Sequence, residues 1–264
     1  YAAISNDWYG ITPGTDGLLI LSLIRELLLL NKIDVDYLRR YTNSPWLVIQ
    51  NPGSDNNGLF LRDKEGRPQI IDRLSGKIVS YDAKNVSPDM NGEIKLKNGG
   101  FAIPVFRILY DKYINDIYSP ENISKKVGLS PNRIKKFAFD LADAAFSKEV
   151  VINQPWTDWK GEKHKKMIGR PVSMHAMRGI SAHSNGFQTC RALHVLQLIL
   201  GSIEVPGGWR FKPPYPKPPE AHPKPSGKPN QIQPGKPLSV PQGDVCVFAD
   251  CAGGQRHVRQ PSGR

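Results

Sequence analysis

The sequence predicts an α/β fold, and three stretches carry that prediction. Residues 17–30 are apolar on almost every side, which indicates a helix buried in a larger core. Between residues 46 and 104, short apolar runs alternate with turn clusters such as DKEG, LSGK and KNGG, a pattern typical of β-hairpins. Residues 171–177 (PVSMHAM) favour a short strand that leads into a second helix at residues 187–200. A strand, a loop and a buried helix form the unit of open α/β sheets, which bind ligands at the carboxyl ends of their strands.

The first helix follows a turn formed by Pro13, Gly14, Thr15 and Asp16. A turn of small residues before a helix exposes free backbone amides, to which the helix dipole adds partial positive charge. Asp16 would repel a phosphate, but its carboxylate suits the amino and ring N–H groups of a guanine. Two interpretations are open: the turn binds the base end of a nucleotide, or Thr15 and Asp16 only cap a core helix.

The second helix follows the sequence RGISAHSNG at residues 178–186. Gly179 permits backbone shapes that other residues resist. Ser184 and Asn185 are predicted caps of the helix, and Arg178 and His183 suit a phosphate or an oxyanionic substrate. On these residues alone, a ligand site and an ordinary capped loop are equally supported. The polar side of the helix is predicted to consist of Gln188, Arg191, His194 and Gln197.

Residues 119–146 predict a helical hairpin. Ser119 and Ser130 each precede a proline, the pattern of a helix cap with proline in the first turn, and Gly128 ends the first helix. Such a hairpin can be a helix-turn-helix that binds DNA, with contacts from the start of its second helix. The same sequence also makes an ordinary αα-hairpin, which is far commoner. The candidate DNA contacts are Asn132, Arg133, Lys135 and Lys136.

The net charge of +12 invites a nucleic-acid interpretation, but its distribution disfavours one. Half of the excess, +6, lies in residues 206–264, where eleven prolines fall between Pro213 and Pro241. We therefore expect a solvated, disordered Pro-rich arm.

Three cysteines provide neither a disulfide framework nor the spacing of a metal site. The sequence therefore predicts no metal ligands. No apolar run is long enough to span a bilayer. The chain starts at Tyr1 without the pattern of a signal peptide, so we expect it to be a piece of a longer protein.

Taken together, three motifs resemble a known family. They are NDWYGITPGTDGLLILSLIRELL, GRPVSMHAMRGISAHSNGFQTCRALHVLQLILGSIEVPGG and RFKPPYPKPP. They are similar to the catalytic subunits of molybdopterin oxidoreductases, the dimethyl sulfoxide reductase superfamily. The branch they resemble most acts on sulfur oxyanions: sulfite dehydrogenases and the thiosulfate, polysulfide and tetrathionate reductases. The resemblance implies that this chain is an internal fragment of one such catalytic polypeptide and is inactive by itself.

The resemblance also implies cofactors and site residues. The family holds molybdenum between two molybdopterin guanine dinucleotides, and a 4Fe-4S cluster that would lie in a missing N-terminal part. The turn of residues 13–16 matches the loop that contacts one guanine nucleotide. Arg178 and His183 are the candidates for shaping the electrostatics of the metal site. The other matched positions are Gly179, Ser184 and Asn185 near the second pterin and the Gly207-Gly208 turn.

The implied substrate is a small sulfur oxyanion, and the implied partners are an iron–sulfur electron-transfer subunit plus a quinone-reactive membrane anchor subunit. The chain would then be membrane-associated through those partners, on the cytoplasmic or the periplasmic side. The alternative is a non-enzymatic binding module, either DNA-binding or a nucleotide-binding remnant.

The expected organisation has five parts. They are a cofactor-binding α/β part at 1–45, a β-rich insertion at 46–104, a helical hairpin region at 105–150, a second α/β cofactor-binding segment at 151–210, and the Pro-rich arm with a basic tail at 211–264. After about Pro237 the tail loses the resemblance, and a shifted reading frame is one hypothesis for it.

Overall fold

The computed structural model describes residues 2–97, 99–158 and 161–209. The helices are α1 (Asp16–Leu29), α2 (Val35–Tyr41), α3 (Val105–Tyr113), α4 (Pro120–Val127), α5 (Pro131–Ala142) and α6 (Gly186–Ile199). Short 3-10 turns lie at Ala2–Ile4, Asp116–Tyr118 and Arg178–Ser181, and a π-helical turn lies at Asp143–Ser147.

Helix α1 lies at the centre of the main core. Leu23, Ile24 and Leu27 are at most 2% exposed, because α1 packs against α6 and also against α5. The prediction of a buried, apolar first helix is therefore confirmed. A chain reversal follows, with Asn31 in the left-handed region at φ 52°, and Asp34 then caps α2 by accepting a hydrogen bond from the Tyr37 amide.

Helices α4 and α5 form the predicted hairpin. The Ser119 hydroxyl accepts from the Asn122 amide, and the Ser130 hydroxyl accepts from the Arg133 amide. Gly128 ends α4 at φ 81°, a left-handed conformation that glycine adopts without a steric penalty. These local signals correctly predicted the start and end of α4 and the start of α5.

The strands are β1 (Leu47–Gln50), β2 (Gln69–Ile71), β3 (Ile78–Ser80), β4 (Ile94–Lys95), β5 (Phe101–Pro104), β6 (Val150–Ile152), β7 (Trp156–Thr157), β8 (Lys163–His164) and β9 (Met167–Gly169). One sheet has the order β1-β5-β4, and the remaining strands pair as β2–β3, β6–β9 and β7–β8, all antiparallel. Five of these strands, β1 to β5, lie within residues 46–104, where the sequence predicts β-hairpins. The chain is thus mixed α/β, with helices and small antiparallel sheets.

The prediction of a strand at residues 171–177 is wrong. The last strand of the described residues ends at Gly169, and residues 171–177 run on without regular structure. A strand requires a neighbouring backbone to complete its hydrogen bonds, and no described segment pairs with this one. The parallel unit of an open α/β sheet is therefore not formed by the described residues.

Helix α6 differs from its prediction in one side chain. Gln197, expected on the polar side, is 1% exposed, and its Oε1 has no hydrogen-bond partner. The predicted helix itself is confirmed, and Gly201 follows it at φ 63°.

Among the described residues, no helix combines the length and the apolar character that crossing a bilayer requires. The predicted Pro-rich arm and basic tail at residues 211–264 lie outside the described residues.

Candidate functional site

The turn before α1 is tightly hydrogen-bonded. The Thr12 carbonyl accepts both the Thr15 amide, at 3.2 Å, and the Thr15 hydroxyl, at 2.6 Å. Gly14 takes φ 81° behind Pro13, the arrangement that a type II turn demands of its two central residues. The sequence Pro-Gly therefore fixes the direction in which the chain enters α1.

The start of α1 has no side-chain cap, so the predicted cap at Thr15 or Asp16 is wrong. Thr15 is the N-cap residue, but its hydroxyl is already committed to the Thr12 carbonyl. Asp16 is the first helical residue, too far along to act as the cap. The free amides of the first turn and the partial positive charge of the helix end therefore remain available to a ligand.

The start of α6 is arranged in the same way. Asn185 is the N-cap residue, and neither it nor Ser184 gives a side-chain hydrogen bond to the helix, so the predicted caps are wrong. The Asn185 carbonyl instead accepts the Thr189 amide and hydroxyl. The loop before it is a 3-10 turn, Arg178–Ser181, closed by a hydrogen bond from the Ser181 hydroxyl to the Arg178 carbonyl.

Helices α1 and α6 run side by side in the same direction. Near their starts, a Cβ on Gly17 would lie 2.7 Å from Thr189 Oγ1, so only glycine allows this approach. At the other end, the amide of Asp34, which follows α1, donates to the carbonyl of Ile199, the last residue of α6, at 2.7 Å. Both uncapped N-termini therefore point to the same end of the domain.

A cleft of about 410 Å³ lies at that end, between the turn before α1 and the loop before α6. This volume lies within the range of roughly 300–1,000 Å³ typical of small-molecule sites. Asp16 and two imidazoles supply its polar side chains, and Met177 and Ile180 its larger apolar ones. The lining residues are Pro13, Gly14, Asp16, His175, Ala176, Met177, Gly179, Ile180 and His183.

The structure thus brings together two motifs that are over 160 positions apart in the sequence. Of the predicted site residues, Pro13, Gly14, Asp16, Gly179 and His183 line the cleft. A Cβ on Gly179 would meet nothing within 4 Å, so no neighbour in the described chain requires glycine there.

Other predicted residues lie beside the cleft or away from it. Thr15 belongs to the turn, while the exposed Arg178, Ser184 and Asn185 flank the lining residues. The Gly207-Gly208 turn is at a different place, where a Cβ on Gly207 would lie 3.1 Å from Pro171 Cα and one on Gly208 would collide with the Ser202 carbonyl.

Sequence reasoning missed His175 and Met177. Both are exposed and line the cleft, Met177 with 71% of its surface accessible. They lie in the stretch predicted to be a strand. In a strand, alternate side chains would pack on one face of a sheet, so neither residue is predicted to be part of a ligand site. A histidine within an otherwise apolar segment was the available signal.

Two of the candidate DNA-contacting cations, Lys135 and Lys136, form ion pairs within the protein. Lys135 Nζ lies 2.6 Å from Glu121, and Lys136 Nζ lies 2.8 Å from Asp7 and 2.6 Å from Asp140. These pairs hold the pKa of Asp7 and that of Glu121 below their usual values. Cations already neutralised by carboxylates are poorly suited to phosphate, so the structure disfavours the DNA-binding alternative.

One group of side chains away from the cleft has the composition of a metal site. Ligand atoms of Asp158, Glu162 and His164 lie within 4.8 Å of one another. Arg40 lies 3.3 Å from His164 Nδ1 and can only donate, so Nε2 carries the hydrogen and donates to Asp158 at 3.0 Å. Asp158 also accepts from the Tyr41 hydroxyl. The group therefore links α2 to the β7–β8 hairpin through hydrogen bonds that a metal ion would have to displace.

Comparison with known proteins bears on the role of the cleft. The chain is 37% identical over 268 residues to a sulfite dehydrogenase subunit of Allochromatium vinosum, a match covering 96% of this chain and 27% of that protein. It is 25% identical over 204 residues to the formate dehydrogenase major subunit of Haemophilus influenzae, covering 75% of this chain and 16% of that protein. Both are molybdenum oxidoreductases. This chain is therefore similar, over almost its whole length, to part of a molybdenum oxidoreductase.

These two matches confirm the resemblance carried by the motifs. No protein-family model matches the chain. The chain spans 27% of the length of the Allochromatium protein and 16% of that of the Haemophilus protein. Because the first match covers 96% of the chain, it extends past Pro237, which weakens the hypothesis of a shifted reading frame.

Proposed function

We propose that this chain is part of the catalytic subunit of a molybdenum oxidoreductase. We further propose that its cleft binds the guanine-nucleotide end of a molybdopterin guanine dinucleotide. One observation carries the proposal: the turn at residues 13–16 and the loop at residues 178–183 meet in one cleft, at the uncapped starts of two parallel helices.

The residues of the cleft fit a nucleotide in two respects. Free amides at the start of α6 suit a negatively charged phosphate, whereas at the start of α1 the Asp16 carboxylate would repel one and suits the base instead. The carboxylate of Asp16 suits the N–H groups of guanine, whereas adenine presents no matching pair of donors. The open space beside Gly179 leaves room for a ligand to approach the backbone.

The protein's own part would be to bind and orient the cofactor. Molybdenum, when bound, would supply two-electron redox chemistry, and the surrounding protein supplies placement and electrostatics. His175 and His183 would face the ligand from the cleft wall, with Arg178 beside them. Gly207, Gly208, Ser184 and Asn185 remain proposed cofactor contacts.

The substrate and partners rest on the relatives. The similarity to a sulfite dehydrogenase supports a small sulfur oxyanion as substrate, either sulfite in oxidation or thiosulfate, polysulfide or tetrathionate in reduction. Because that relative is named as one subunit of its enzyme, further subunits are implied. We propose an iron–sulfur electron-transfer subunit, a quinone-reactive membrane anchor, and a 4Fe-4S cluster in the longer catalytic polypeptide.

Titration of the 264-residue chain with GDP and ADP tests the nucleotide proposal. We expect GDP to bind more tightly, and Asp16→Asn to remove most of that preference because the amide offers both a donor and an acceptor. Asp36→Asn is the matched control, since Asp36 also lies in a first helical turn but away from the cleft. Equal affinities for GDP and ADP in the unsubstituted chain would refute the proposed guanine site.

A further inference from the structure

The segment that leads into the cleft has no regular structure of its own. This lead-in segment, residues 7–12, precedes the turn and forms neither helix nor strand. The position of the turn therefore depends on what this segment contacts.

The first part of the segment is held by α5. Arg133 Nη2 donates to the Trp8 carbonyl at 2.7 Å, and its guanidinium lies 4.6 Å from the centre of the Tyr9 ring. The Tyr9 ring stacks on Phe137 with centroids 4.7 Å apart and an angle of 16° between the planes. Lys136 adds an ion pair with Asp7 at 2.8 Å.

The last part is held by the turn between α4 and α5. The Thr12 amide donates to the Val127 carbonyl at 2.9 Å, and a Cβ on Gly128 would lie 3.2 Å from Thr12 Oγ1. The carbonyl of this same Thr12 accepts both hydrogen bonds that close the turn before α1. A continuous set of contacts therefore runs from the hairpin to the cleft.

We propose that the α4–α5 hairpin is the element that positions the nucleotide-binding turn, and that Arg133 is a positioning residue acting through Trp8, Tyr9 and Thr12. The inference rests on the proposed guanine site. It assigns a role to two of the residues that first suggested DNA binding: Arg133 and Lys136 bind the protein's own lead-in segment.

Positioning of this kind acts on affinity. A turn that is already in place loses less conformational freedom when a ligand binds than one that must be ordered first. A hydrogen bond from a charged donor and a stacked ring pair are each strong enough to hold a short segment. Removing them should weaken binding without altering any group that touches the ligand.

The test compares three alanine variants of the 264-residue chain by GDP titration. Arg133→Ala and Lys136→Ala remove contacts to the lead-in segment. Lys135→Ala is the matched control, because its side chain is 48% exposed against 46% for Arg133 and its ion pair, to Glu121, stays within the hairpin. We expect GDP affinity to fall about tenfold for Arg133→Ala, less for Lys136→Ala, and not at all for Lys135→Ala. Arg133→Lys, which keeps the charge and a donor but not the planar stack, should recover part of the loss.

Hydrogen exchange without ligand gives a second, independent readout. The amides of Thr12 and Thr15 should exchange faster in Arg133→Ala than in Lys135→Ala, while the amides of α1 beyond its first turn should not change. Equal exchange at Thr12 and Thr15 in both variants would overturn the inference, as would equal GDP affinities. If the unsubstituted chain does not bind GDP, the proposed function fails, and the exchange comparison still decides the positioning role. Should Arg133→Ala fail to fold, Lys136→Ala provides the same comparison.

Discussion

Two glycines beside the cleft should respond to alanine in opposite ways. A Cβ on Gly186, at the start of α6, would collide with the backbone carbonyl of Ser181 in the preceding 3-10 turn. A Cβ on Gly179, in the same turn, would enter open space with nothing within 4 Å. The backbone of Gly179 is not left-handed, so alanine also fits its conformation.

The magnitudes follow from those contacts. Gly186→Ala forces the 3-10 turn away from α6, and overpacking of this kind costs about 1–3 kcal/mol. The advantage of alanine over glycine, about 0.5–1 kcal/mol inside a helix, applies only in part at the first residue of α6, so a net loss of stability remains. Gly179→Ala should change the free energy of unfolding by no more than about 0.5 kcal/mol, as expected for an exposed site without contacts. Its methyl group would occupy the space that we assign to the ligand, so GDP affinity should fall severalfold.

Urea unfolding and GDP titration of the two variants measure both effects. The expected pattern is a destabilised Gly186→Ala and a stable Gly179→Ala with weakened GDP binding. Unchanged stability in Gly186→Ala would contradict the close approach of loop and helix. Full GDP affinity in Gly179→Ala would show that no ligand approaches this part of the backbone.

Three further predictions concern groups outside the cleft. Arg170→Met should lower the free energy of unfolding by about 2–4 kcal/mol, because it leaves the mostly buried Asp34 carboxylate without its partner at 2.8 Å. Urea unfolding measures this loss, and a loss near zero would contradict a stabilising role of the ion pair. Hydrogen bonds, first among them that from the Ser75 hydroxyl, lower the pKa of Asp72 to about 2. The stabilisation they represent is present above the ordinary value near 3.8 and is lost as the pH falls through about 2, so Asp72→Asn should flatten the acid unfolding profile in that window. Burial, followed by the nearby Asp158 charge, raises the pKa of Tyr41 to about 12, so ultraviolet titration should show one late-ionising tyrosine fewer in Tyr41→Phe.

Features set by neighbouring residues could be predicted from the sequence. The caps at Ser119 and Ser130 and the helix end at Gly128 depend on a few adjacent positions, and the structure has all of them. In each of these caps, the serine that accepts the hydrogen bond lies three residues before the amide that donates it, so the local sequence pattern alone specifies the cap.

Features that depend on residues distant in the sequence could not be predicted. The strand expected at residues 171–177 lacks a neighbouring strand among the described residues, and pairing is invisible in a local pattern. Thr15 had two acceptable uses for its hydroxyl, and only the folded turn decides between them. Gln197 has a polar position by helical periodicity, but the packing around α6 covers it.

The candidate site was predicted in part. Both loops were identified from their small residues, but their meeting in one cleft depends on the close parallel packing of α1 and α6 through Gly17. The role of Arg133 was likewise hidden, because its partner Trp8 lies 125 positions away.

Hydrogen exchange of the 264-residue chain with and without GDP tests the central claim most directly. If the cleft binds a guanine nucleotide, GDP should slow exchange of the amides at residues 14–18 and at residues 179–186 together, and ADP should do so less. Protection confined to one of the two segments, or no protection at either, would contradict a shared nucleotide site at the starts of α1 and α6.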